Sequence, residues 1–382
     1  MPDVTDTRPS LLIISYSRLF RDARVLRQIR LFRDDYAVTT VGYGPAPEGV
    51  VSHHQIPEEV VYWHVDRKLV VARIYQRAFD TAPITRWARE QLRGQAYDVI
   101  LANDLQPVPV AIQMQPRGGV HVDLHEYVTR QQEEVWRFRT FLAPYYGHLI
   151  KKWVRRAGSV TTVGFKLAEQ YEAEFGVRCG VVLNAPERRD LAPGEVADPV
   201  RLVHAGGATP ARLETMLAAV EQAQGGATLD LFLVDSGSGY AGSVRARYAD
   251  HPRIHVHDAV PTSELVNALH RFDVGVHILP PVSFNHRYAM PNKLFDYVQA
   301  RLGVLIGPSP EMAGVVREHE LGWVSEDFSA EAVARTIDAL TGEEVARAKT
   351  ASDVAAQVLC AEEQVAGWAD PVRVLARKAL IS

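Results

Sequence analysis

Cysteine is almost missing from this 382-residue chain: Cys179 and Cys360 stand alone in unrelated contexts. Two such thiols exclude a disulfide framework and a thiolate zinc site, and both are expected to be reduced and structural. No apolar run approaches the ~18 residues that span a bilayer, and the polar start Met1–Ser10 has no leader core. A soluble, cytoplasmic protein is the expectation. The sequence also lacks an Asp-x-Asp pair, so no metal and no cofactor are expected. Zinc fingers, basic tails and aromatic-basic RNA motifs are absent, which removes nucleic acid from the expected partners. Residues 1–185 nevertheless carry 24 Lys+Arg against 20 Asp+Glu, leaving 18 against 26 in the remainder.

What is present is an alternation of short β-branched runs with amphipathic segments, the pattern of helices packed on both faces of a parallel sheet. In the first half, strands are expected at 11–15, 37–42, 98–102, 119–123, 159–163 and 180–184, with helices near 19–34, 67–93, 134–156 and 165–175. A Pro-, Gly- and charge-rich stretch at 186–199 reads as a linker. A second series of strands follows at 201–205, 229–234, 253–257, 273–279, 303–307 and 322–325. The expected fold class is α/β: two Rossmann-like, doubly wound domains facing across a cleft, 1–185 and 200–360. The Ala-rich segment 361–382, with a break expected at Asp370-Pro371, packs back on the first.

The chemistry concentrates in Pro291-Asn292-Lys293-Leu294-Phe295-Asp296-Tyr297. Pro291 suits the first turn of a helix, and Asn292 and Lys293 beside free backbone N–H groups form a diphosphate cradle. Asp296 lies one turn on and can accept two hydrogen bonds from vicinal ribose hydroxyls. A solvated capping cluster is the competing reading.

This segment, with Val304-Leu-Ile306 and Ser309-Pro-Glu311-Met312 behind it, resembles the donor-binding signature of retaining GT-B glycosyltransferases, family 4 in particular. The resemblance extends to Asp22-Ala-Arg24-Val25, His125-Glu126, Val182-Leu-Asn184-Ala-Pro186 and Leu202-Val-His-Ala-Gly206. It implies a nucleotide-sugar donor held by Pro291, Asn292, Asp296 and Glu311, a hydroxyl acceptor, and transfer with retention of anomeric configuration. It also implies a role for His125 near the donor sugar, against the alternative of a structural histidine. Three features depart from the family pattern. Tyr288 stands where a first acidic residue is usual, the Ser15-Tyr16-Ser17-Arg18 loop lacks glycine, and Ala205-Gly206-Gly207-Ala208-Thr209-Pro210-Ala211-Arg212 replaces the usual phosphate-binding pair. Arg212 is the substitute phosphate ligand, since a guanidinium forks onto two oxygens. A nucleotide-sugar epimerase of the same fold and a noncatalytic binding subunit are the alternatives.

Gly237-Ser-Gly239-Tyr-Ala-Gly242 with Asp258 beyond it imitates a dinucleotide fingerprint. Its place late in the chain and its likeness to a GT-B turn assign Gly237 and Gly239 to the base side of the nucleotide instead. Arginine recurs every third residue from Arg18 to Arg33, which spreads around a helix rather than lining one face. Arg18, Arg21 and Arg24 are placed to meet an anionic acceptor, with Glu126 on the same acceptor side. Trp136 to Arg156 mixes aromatics with cations, so it is either an interfacial helix making peripheral contact with the inner face of a membrane or a domain-packing helix with a basic edge.

Overall fold

The computed structural model describes residues 7–235 and 237–381, so most of the Met1–Ser10 start and the end of the 361–382 segment lie outside the described residues. The chain divides into two compact units, Met1–Val182 with Val365–Ser382, and Leu183–Gln364.

Unit 1 is built on β1 (Ser10–Arg18), β2 (Ala37–Tyr43), β3 (Ser52–Ile56), β4 (Val99–Asn103), β5 (Gly119–Leu124), β6 (Ser159–Thr162) and β7 (Gly180–Val181), in the order β3-β2-β1-β4-β5-β6-β7. All pairings are parallel. Leu11 to Ile14 are wholly buried, because a parallel strand covered by helices on both faces needs apolar side chains at consecutive positions. Unit 2 repeats the plan with β8 (Arg201–Gly207), β9 (Thr228–Val234), β10 (Ile254–Asp258), β11 (Val274–His277), β12 (Gly303–Ile306) and β13 (Gly322–Val324), ordered β10-β9-β8-β11-β12-β13. In each sheet the order reverses beside the first strand, between β1 and β4 and between β8 and β11. Ligands of open α/β sheets bind outside the carboxyl ends of the strands at such a switch point.

Several expected elements differ. The 19–34 helix is a 3-10 turn, Leu19–Arg21, then a helix Ala23–Phe32 capped by Asp22, whose carboxylate accepts from the Val25 N–H. The 67–93 helix is broken into Arg67–Val71, Tyr75–Thr81 and Pro83–Gln91, interrupted by Arg73 in the left-handed region (φ 59°) and by Pro83. The 134–156 helix is a π-helical turn Phe138–Leu142, then Ala143–Lys152 and a 3-10 turn Val154–Arg156.

The expected break at Asp370-Pro371 does not occur, since one helix runs from Ala366 to Ala379 through Pro371. An interior proline forfeits a hydrogen bond and costs ~3 kcal/mol. Here Trp368, Val372 and Leu375 from that helix complete the unit 1 core against Leu11, Ile13, Val99 and Leu101, which outweighs the cost. The stretch read as a linker, 186–199, has no helix or strand but is tied to unit 2. Pro186 accepts from the Ala361 N–H at 2.8 Å, and the Arg189 carbonyl accepts from the buried Arg301 guanidinium at 2.8 Å.

Candidate functional site

In unit 2, β8 ends in Gly206 and Gly207 and leads into the helix Pro210–Gln222, while Pro291 precedes the helix Asn292–Gln299. Pro291 is the cap rather than a first-turn residue, with extended backbone and no side-chain cap bond, so Asn292 and Lys293 open the first turn. The Lys293 side chain lies over the end of β8: a Cβ at Gly206, whose φ is 150°, would fall on its Cε and Nζ. The Arg212 guanidinium reaches the same strand end, 3.6 Å from where a Cβ at Gly207 would sit. The structure therefore brings Lys293 and Arg212 together at the switch point.

Two histidines missed in the sequence complete this cluster. His204 of β8 and His277 of β11 stack with ring centroids 5.6 Å apart and planes 12° apart, both buried. His204 Nδ1 lies 2.8 Å from the Val276 carbonyl, whereas His204 Nε2 and both His277 ring nitrogens have no hydrogen-bond partner. Burial, then Lys293, pushes His204 down to about 3; burial, His204 and Lys293 hold His277 well below the ordinary imidazole range. The two rings are thus neutral. Burial and then Arg212 also lower Lys293. Asp296, three residues beyond Lys293 on the helix, is raised to about 6 by burial, with Lys293 opposing. At pH 7 the cluster carries the Lys293 and Arg212 charges against the one carboxylate of Asp296, an arrangement that an anion would stabilise.

The other residues expected on the donor side spread further. Asn292 is exposed, and Glu311 is buried in the first turn of the helix Pro310–Glu318, after a buried Ser309 whose hydroxyl has no partner. Tyr288 packs on Phe284 with centroids 4.7 Å apart. Gly237 and Gly239 both adopt left-handed backbone (φ 82° and 73°) in the turn after β9. That turn lies one strand away from the switch point, and Asp258 is paired with Arg245 at 2.7 Å on the surface, so the dinucleotide arrangement is not formed.

In unit 1 a cavity of about 510 Å³ opens at the carboxyl ends of β1, β4 and β5. His125 stands in its wall. Its Nε2 lies 3.1 Å from Asn103 Oδ1 and 3.4 Å from Asp123 Oδ2, and its Nδ1 lies 3.4 Å from Asp104 Oδ2. Burial opposes a charge on His125, but Asp104 and Asp123 outweigh it and its pKa is raised. Asp104 takes the left-handed conformation (φ 63°), which lets its carboxylate accept from the His125 N–H at 3.1 Å. Glu126, also in the wall, is raised by burial and then by Asp104.

The three arginines expected on the acceptor side separate. Arg24 is buried and forks onto Asp123, with Nε and Nη2 each 2.8 Å from a carboxylate oxygen, Nη1 2.9 Å from the Val182 carbonyl, and its Cζ 4.6 Å from the Trp368 ring. Burial works against the Asp123 charge, but Arg24 and His125 hold that carboxyl well below the usual range. Arg24 thus braces the carboxylate behind His125, and its fork is committed inside the protein. Arg18 reaches the cavity but is paired to Glu58 at 2.7 Å. Arg21 is exposed beside Phe20.

The aromatic stretch 136–156 packs mostly inward: Phe138, Tyr145, Leu149, Ile150, Trp153 and Val154 are buried, leaving Val135 and Trp136 exposed among Arg137 and Arg139. No helix among the described residues is long and apolar enough to cross a membrane.

No family model matches the chain, and no curated protein is significantly similar to it in sequence. Solved structures do match. An α,α-trehalose-phosphate synthase (UDP-forming) from Burkholderia vietnamiensis superposes with a TM-score of 0.68 at 12% identity, over 98% of this chain and 100% of that one. HepE of Anabaena in complex with UDP and glucose gives 0.65 at 12% identity, over 96% and 100%. WaaG, a glycosyltransferase involved in lipopolysaccharide biosynthesis, gives 0.63 at 12% identity, over 95% and 99%. The chain has the GT-B fold. Identity this low carries the fold alone.

Proposed function

We propose that this chain is a glycosyltransferase that moves a sugar from a nucleotide-sugar donor to a hydroxyl of an acceptor. The observation that carries the reading is the pairing of Lys293 and Arg212 over the glycine end of β8, with Asp296 one turn along the same helix. Lys293, Arg212 and the N–H groups of Asn292 and Lys293 would hold the diphosphate, and the Asp296 carboxylate would accept from the ribose hydroxyls. HepE and the trehalose-phosphate synthase, which have the same fold, make a uridine nucleotide the first donor to try.

In the transfer the acceptor oxygen bonds to the anomeric carbon as the bond from that carbon to the phosphate oxygen breaks. The hydroxyl proton passes to the departing diphosphate, so no protein base is required. The charge that develops on the leaving oxygen is met by Lys293 and Arg212, already in position before reaction. Retention and independence of a metal belong to this reading, on the family resemblance and the missing Asp-x-Asp pair. Exposed Val135 and Trp136 among basic residues support a peripheral contact with the cytoplasmic face of a membrane, which sedimentation with anionic vesicles would test.

The deciding experiment incubates the protein with UDP- and GDP-sugars, with and without an acceptor panel, in EDTA. Nucleoside diphosphate should appear only with acceptor, and EDTA should leave the rate unchanged. Interconversion of the donor sugars without release would instead mark an epimerase. Loss of activity restored by magnesium would overturn the metal-independent part.

A further inference from the structure

Behind the unit 1 cavity lies a buried network in which each proton has one possible place. It starts from Asp123, wholly buried on β5 and held ionised by the Arg24 fork. An ionised carboxylate only accepts hydrogen bonds, so each neighbour must turn a donor toward it. Gln28, also wholly buried, sets its amide nitrogen 2.8 Å from Asp123 Oδ2, which leaves its Oε1 to accept. Asn103 Nδ2 fills that place at 2.9 Å. The Asn103 Oδ1 is thereby committed to the other side, where His125 Nε2 stands at 3.1 Å. An amide oxygen has no proton to give, so the proton of that bond belongs to His125 Nε2. Asp123 Oδ2, 3.4 Å from the same nitrogen, is a second acceptor that holds it there.

The opposite oxygen of Asp123 acts through a hydroxyl. Thr161 Oγ1 donates to Asp123 Oδ1 at 2.8 Å, so it accepts from His121 Nε2 at 3.1 Å, and His121 Nδ1 accepts from Ser159 Oγ at 2.8 Å. One buried charge thus sets the proton of two imidazoles. His121 is wholly buried, and burial pushes it down to about 4, so it stays neutral. His125 stands in the cavity wall, with its other nitrogen, Nδ1, 3.4 Å from Asp104 Oδ2. Because Nε2 keeps its proton in both charge states, Nδ1 is where this ring gains or loses one. Burial and Arg24 oppose a charge there, Asp104 and Asp123 favour it, Glu126 is the further carboxylate at hand, and the balance raises the pKa.

We propose that Gln28 and Asn103 are positioning residues for His125: they carry the orientation imposed by Asp123 across to the ring, fix Nε2 as its inward donor and reserve Nδ1, beside Asp104, for a substrate hydroxyl. A ring so set meets that hydroxyl as a donor when charged and as an acceptor when neutral, without turning over. Deprived of Gln28, Asn103 would be free to turn its amide, offer an N–H to the ring and draw the proton to the other nitrogen. The part played in sugar transfer rests on the glycosyltransferase reading above; the proton placement does not.

The test is nitrogen-15 NMR of the whole chain labelled at histidine, without donor or acceptor. The neutral ring of His125 should show a proton on Nε2 and none on Nδ1, and that proton should stay visible in water, as one on the exposed His64 does not. A proton on Nδ1 of the neutral ring would overturn the proposal, a result that needs no variant. Gln28→Met cuts the relay: exchange of the Nε2 proton should quicken about tenfold, and His125 should titrate lower by about half a unit or more. Thr161→Val cuts only the branch to His121, so it should move the His121 resonances and leave those of His125 in place. Equal disturbance of His125 by both variants would mean general loosening and overturn the relay, as would an unchanged His125 in Gln28→Met. In transfer assays Gln28→Met should lower kcat about tenfold while UDP affinity stays within about twofold. Wild-type kcat in that variant would overturn the positioning role. The expected spectra from a protein that turns over no nucleotide sugar would sink the transferase and spare the proton placement.

Discussion

Lys293 is an ammonium held against a strand end by the absence of a side chain at Gly206. Lys293→Ala should weaken UDP binding by about 1.5–3 kcal/mol, the usual contribution of a charge-assisted bond, as read by calorimetry. Asp296 adds a pH dependence. Its carboxyl is raised to about 6 by burial, so in the folded protein it takes up a proton as pH falls through 6, well before an ordinary aspartate does. Donor affinity should therefore decline between pH 7 and 5. Asp296→Asn should be weaker at pH 7 but flat over that range, and a wild-type profile in the mutant would remove Asp296 from the ribose. The sign for stability is opposite: between its ordinary and raised pKa the folded state binds more proton than the unfolded, so this residue's contribution falls as pH rises through that window. These residues were legible because they share one short segment. His204 and His277 were not, because each is a lone histidine in an apolar strand and only the parallel register stacks their rings. The cavity of unit 1 was illegible for the same reason, its walls coming from stretches as distant as Tyr16, Trp63 and Gln131.

At the scale of elements, buried strands such as β1 and β12 announced themselves through consecutive β-branched or aliphatic residues. The edge strand β3, Ser52–Ile56, did not, because its two histidines, serine and glutamine give no apolar pattern and its pairing with β2 is made by backbone bonds. Arg73 likewise ends a helix in a left-handed turn without a glycine to signal it. The helix Ala366–Ala379, expected to pack back on the first unit, does so, and the misreading there was the break at Asp370-Pro371. Its Trp368 is wholly buried in the unit 1 core and lies under the Arg24 guanidinium, which holds Asp123 behind His125. Trp368→Ala should lower stability by about 3–5 kcal/mol in denaturant unfolding, through the cavity it leaves. Loss of the cation–π support should also loosen the buried ion pair.

For the whole molecule the two switch points differ in sign, cationic in unit 2 and carboxylate-lined in unit 1. Raising salt from low to physiological strength should weaken UDP binding, and calorimetry at two ionic strengths checks this. The division of the chain has another consequence, for synthesis. Unit 2 is one continuous stretch, Leu183–Gln364, but unit 1 includes Val365–Ser382. A chain emerging from the ribosome makes its first half early and then waits, its core still open where Trp368, Val372 and Leu375 will go. Domains usually fold in the order in which they are made. In this protein the later unit has all its residues first, and the earlier one closes only once the helix Ala366–Ala379 has been made.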